Sequence, residues 1–130
     1  MNSKIFYAEL GKLLYAIADA DHDVTKKEYI KLKDIVKNEL VPMEKQTDSF
    51  GTDSAFYTQF EFEVATEQQM TSEEALESFI SYAKQHRHDF TEERKQVCLR
   101  VMEEIAAVYH HHSKAEEEIF KIVKEEFQKN

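Results

Sequence analysis

Ile17-Ala18-Asp19-Ala20-Asp21-His22-Asp23-Val24-Thr25-Lys26-Lys27-Glu28 joins two apolar runs of helical period, and its second half carries a helix start. Thr25 with Glu28 is a Thr-x-x-Glu capping box, in which hydroxyl and carboxylate each satisfy an orphan backbone donor at a helix N-terminus. The signature recurs at Thr71 with Glu74 and at Ser113 with Glu116, each time ahead of an apolar-periodic segment. Two Gly and one Pro in 130 residues leave too few turn formers for an all-β chain. The expected fold is all-α: a compact bundle of about six helices. Residues 1–130 are expected to make a single domain, long enough to bury its own core.

Working outward, Phe6, Leu10, Leu13, Leu14 and Ile17 recur at helical spacing and predict a first helix from Ser3 to Ala18, with Gly11 marking a close helix approach. Tyr29, Leu32, Val36 and Leu40 stripe a second helix, expected to end near Val41 because Pro42 disfavours helical geometry in the residue before it. The polar stretch from Met43 to Asp53 reads as the longest loop, joining two helical halves. From Ala55 to Val64 the pattern is double. Phe60, Phe62 and Val64 alternate like a strand, while Phe56, Phe60 and Val64 follow a helical step. A helix is expected, since a lone strand leaves its backbone hydrogen bonds unmet, and its aromatic stripe reads as core. Leu76, Phe79, Ile80 and Ala83 continue a fourth helix to between Gln85 and Asp89. A fifth, after Thr91, turns Cys98, Val101, Met102, Ile105 and Tyr109 inward and breaks near His110-His111-His112-Ser113. The last packs Ile119, Phe120, Val123 and Phe127.

The chain also echoes itself. The shift that lays Ile17-Ala18 on Ile105-Ala106 also lays Thr25 on Ser113, Glu28 on Glu116, Leu32 on Phe120 and Ile35 on Val123. Two similar helical hairpins are implied. Asp19, Asp21 and Asp23 fall on Ala107, Tyr109 and His111, so the acids do not repeat and any cation site is expected to be single or lopsided.

Charge narrows the partners. A formal net charge of −9 argues against nucleic acid, whose affinity rests on clustered Lys and Arg releasing counterions. No segment has the apolar length to insert in a bilayer, and no signal peptide is apparent at the start, so a cytoplasmic protein is expected. Cys98, the one cysteine, reads as a small buried hydrophobe without a role.

Asp19, Asp21 and Asp23 stand on alternate residues and Glu28 follows in the next helix, a spacing that lets several oxygens converge on one hard cation, Ca²⁺ or Mg²⁺. Counting from Asp19, Val24 and Ile30 occupy the places where an EF-hand needs its glycine and its bidentate Glu, so a true EF-hand is not expected. Favourable charge at a helix N-terminus accounts for Asp23, Thr25 and Glu28 without a metal, whereas Asp19 and Asp21 end a helix, where its dipole disfavours anions. Glu28 is wanted by both the ion and the capping box. Adjacent His110-His111-His112 point about 100° apart on a helix and cannot share one ion, so this run and His86-Arg87-His88-Asp89 read as helix ends. No Gly-x-Ser-x-Gly, phosphate loop, His-Glu-x-x-His or Glu-x-x-His occurs, and no enzymatic activity is expected.

An apolar helix ending Ala18-Asp19-Ala20-Asp21, a short turn with Val24-Thr25, and Glu28 opening a second helix resemble the hallmark of the TerB-like family associated with tellurite resistance. The match is best from Leu10 to Leu40, and the family's second hairpin agrees with the echo from Val101 to Phe127. This chain has His22 where the family's turn carries glycine after the acid. The resemblance implies an all-helical cytoplasmic domain tied to stress response and metal handling, with no established catalysis. Its acidic positions fall on Asp19, Asp21 and Glu28, and Asp23 is an extra acid. Two functions are therefore expected in competition. One is a non-enzymatic module whose acidic turn binds a divalent cation. The other is a metal-independent interaction domain whose acidic surface docks an unidentified basic protein partner.

Overall fold

The computed structural model describes residues 3–20, 24–43, 54–109 and 113–129. They form six α-helices, α1 (Ser3–Ala18), α2 (Lys26–Ile35), α3 (Phe56–Gln68), α4 (Ser72–Gln85), α5 (Glu92–Ala106) and α6 (Lys114–Gln128), with no strand among the described residues. Helix α1 runs through the middle. Phe6, Tyr7, Leu10, Leu13, Leu14, Ala16 and Ile17 are all fully buried, because α3, α4 and α5 pack around it. A helix surrounded on several sides has to be apolar over most of its circumference, and α1 is.

Gly11 sets the tightest of these contacts. A Cβ at Gly11 would lie 2.4 Å from the Thr58 carbonyl oxygen, so only glycine lets the α1 and α3 backbones meet here. Beside that contact the buried Thr58 hydroxyl donates to the Tyr7 carbonyl at 2.7 Å, which satisfies a polar group inside the core. The close approach marked by Gly11 is thus present, and it decides which face of α3 is buried. Thr58, Phe62 and Ala65 point inward. Phe56 and Phe60, expected in the core, are instead 47% and 56% exposed. Fixing Thr58 against Gly11 turns Phe60, two residues and about 200° further round the helix, towards solvent.

The second helix also departs from expectation. Beyond Ile35 the chain widens into a π-helical turn, Val36–Leu40, where the Val41 N–H donates to the Val36 carbonyl, and helical geometry continues through residue 43. Pro42 lacks an N–H and its ring crowds the carbonyl one α-turn back, so a wider turn just before it carries the chain past the proline without a break. Met43, expected to open the loop, is helical, and the remainder of that loop lies outside the described residues.

On the opposite side of α1 an aromatic cluster centres on Phe90, whose ring lies 5.6 Å from Phe6, 5.9 Å from Phe79, 5.7 Å from Tyr82 and 5.5 Å from Phe127. This one residue, between the short 3₁₀ turn Arg87–Asp89 and α5, ties together α1, α4 and α6. Buried Ile119, Phe120, Val123 and Phe127 make the inner stripe of α6 as the periodicity predicts. Of the two hairpins expected from the sequence echo, α5 packs on α6, whereas α2 packs on α5 rather than chiefly on α1, and α1 also packs on α5.

Candidate functional site

All three capping boxes form. In the first, the Glu28 N–H donates to Thr25 Oγ1 at 3.3 Å, while Glu28 Oε1 accepts from the Thr25 N–H at 2.9 Å and from the Thr25 hydroxyl at 3.1 Å. The third repeats it at the start of α6: the Glu116 N–H donates to Ser113 Oγ and the Ser113 N–H to Glu116 Oε1, both at 3.0 Å. Glu28 and Glu116 are equivalent in the sequence echo, and both are buried, 3% and 7% exposed. Burial is the largest influence on the Glu28 carboxyl and raises it above its ordinary 4.5; the Thr25 hydrogen bonds oppose that rise, and the charges of Glu116 and Asp19 add to it.

Asp19 sits just past α1, its N–H still donating to the Tyr15 carbonyl at 2.8 Å. It lines a cleft of about 590 Å³ with Tyr15, Ala20, Val24, Thr66 and Met70, between the end of α1 and the turn from α3 to α4. The Tyr15 hydroxyl, donating to the Met70 carbonyl at 2.6 Å, fixes that wall. A second cleft of about 380 Å³ shares Val24 and Thr66 with the first and is walled by Tyr29, whose hydroxyl donates to Glu63.

Of the four acids singled out in the sequence, Asp19 and Glu28 thus fall in one electrostatic neighbourhood, and Asp21 and Asp23 lie outside the described residues. Among the described residues no group of three or more His, Cys, Asp or Glu has the arrangement to hold a metal ion. Glu116 joins Asp19 and Glu28 as an acid that the sequence marked only as a helix cap. The signal for it was there, since the echo lays Glu28 directly on Glu116. Chemically, burial first, with the Glu116 and Asp19 charges adding to it, favours the protonated form of the Glu28 carboxyl.

A second acidic pair lies where α2 meets α5. Glu39, on the π turn, accepts from Arg100 Nε at 2.9 Å, and Lys31 Nζ stands 3.6 Å from Glu104 Oε1. Burial and the neighbouring Glu39 carboxylate push Glu104 up to about 7, against the pull of Lys31. The remaining candidates fall to structural roles. His86 stacks on Tyr82 with ring centroids 4.6 Å apart, and the His88 side chain is 86% exposed. Cys98 is fully buried and its thiol is pushed up to about 12, as befits a core residue. His110, His111 and His112 lie outside the described residues. No helix among the described residues is long and apolar enough to cross a membrane.

Comparison with models of protein families, with curated proteins and with solved structures returns no match to this chain.

Proposed function

We propose that this chain is a non-enzymatic, TerB-like helical module of the cytoplasm whose acidic turn, Asp19, Asp21, Asp23 and Glu28, takes a divalent cation, Ca²⁺ or Mg²⁺, in a stress or metal-response role. The observation that carries the proposal is the buried Glu28 carboxyl, 3% exposed and held by the Thr25 cap at the start of α2, directly after the acidic turn in the chain. Glu28 keeps its capping duty through Oε1, so an ion entering from the turn would relieve repulsion without dismantling the helix start. Asp19 would approach it from the end of α1 and Glu28 from α2, coupling the packing of the first two helices to cation occupancy. The test is thermal unfolding of chelated protein with and without millimolar Ca²⁺ or Mg²⁺, in wild type and in an Asp19→Asn, Asp21→Asn variant. A midpoint rise with one ion, absent in the variant, is expected. An unmoved midpoint with both ions overturns the reading.

The second reading, an interaction domain with an acidic surface, is favoured by a different observation: α3 leaves Phe56, Tyr57 and Phe60 exposed on its outer face. Capture of a basic partner that weakens with salt and ignores chelation is its signature.

A further inference from the structure

Large side chains seldom gather at the surface of a helix without a use. On α3 three aromatics are exposed within one and a half turns, Phe56 at 47%, Tyr57 at 37% and Phe60 at 56%, while the opposite face is locked into the core by Thr58 and Phe62. The Tyr57 and Phe60 rings are set edge to face with centroids 6.5 Å apart, so these two make one aromatic surface. Along the same side, helical spacing brings Glu61 after Tyr57 and Glu67 after Phe60, and α3 has no Lys or Arg anywhere in Phe56–Gln68. The outer face therefore begins aromatic and ends acidic.

We propose that this face docks an amphipathic helix bearing basic residues, its apolar side chains seated on Phe56, Tyr57 and Phe60 and its Lys or Arg side chains reaching Glu61 and Glu67. The proposal rests on the interaction-domain reading and names its surface and its partner's chemistry. Charge selects the occupant. A second copy would bring the same glutamates and a further net charge of −9 against this face, and an anionic lipid surface would be repelled in the same way. Lys4 Nζ lies 5.8 Å from the centroid of the Tyr57 ring, a positive charge at the aromatic end that leaves the acidic end, Glu61 and Glu67, to receive the partner's basic side chains.

The test uses the full chain and two synthetic amphipathic helices of equal length, one of leucine and lysine and one of leucine and glutamate, titrated by calorimetry. Wild type is expected to bind the lysine peptide saturably and the glutamate peptide not at all. A Phe56→Ser, Phe60→Ser variant should lose about tenfold or more in affinity, as removal of central aromatic anchors does, and Glu61→Gln, Glu67→Gln should weaken binding and flatten its salt dependence. Circular dichroism of both variants should match wild type, since none of the four side chains is in the core. Undiminished binding by the serine variant overturns this docking surface but leaves an acidic interaction domain standing. Failure of the lysine peptide to bind wild type overturns both. Self-association in sedimentation that the serine variant abolishes also overturns the proposal, in favour of a second copy as occupant.

Discussion

Replacing Glu28 by Gln separates its capping duty from its charge. A Gln carbonyl still accepts from the Thr25 N–H, while the repulsion from Glu116 and Asp19 disappears. Glu28→Gln is therefore expected to be at least as stable as wild type near neutral pH in chelator, whereas Glu28→Ala, which empties the cap acceptor, should lose about 1 kcal/mol in urea unfolding. Glu104 makes a prediction in pH. Its folded carboxyl is held up to about 7 by burial and by Glu39, against an ordinary value of 4.5. Between those values the native state binds the extra proton, so stability falls as pH rises through the window, and the loss is complete above it. Urea midpoints should be higher at about pH 5 than at about pH 8, and Glu104→Gln should flatten that difference. The raised Glu28 carboxyl acts in the same direction.

At the scale of elements, the α1–α3 contact is the most demanding. Gly11→Ala places a methyl group 2.4 Å from a backbone oxygen that no rotamer change can move aside. The helices must separate, with a loss of about 1–3 kcal/mol in chemical denaturation, as overpacked core sites show. The Thr58 hydrogen bond to the Tyr7 carbonyl would be strained with it. Helix starts were the most legible elements: Thr25, Thr71 and Ser113 cap α2, α4 and α6 where the Thr-x-x-Glu and Ser-x-x-Glu patterns place them. A capping box is a contact among four neighbouring residues, so the chain alone specifies it. The π turn was not legible, because it is a response to Pro42 within a helix held down by buried Val36 and Leu40. Phe90 was missed too. It belongs to no periodic stripe, and only the convergence of α1, α4 and α6 makes it a hub.

For the whole molecule, cation binding and folding are linked by mass action. An ion present at ten times its dissociation constant stabilises the bound fold by about 1.4 kcal/mol, which for a domain of this size is a midpoint rise of about 4 °C or more. Chelation should reverse it. The expectation of an all-helical chain holds over the described residues, with all six helices present. That much was determined by the sequence alone, because period, capping pairs and the scarcity of Gly and Pro act between residues near in the chain. Which side of α3 faces outward, and that Glu116 stands close enough to Glu28 to act on its charge, were decided only by the tertiary structure. Both depend on contacts between residues far apart in the chain: Gly11 meeting Thr58 sets the rotation of one helix, and the packing of both α2 and α6 on α5 brings one helix start within electrostatic range of the other.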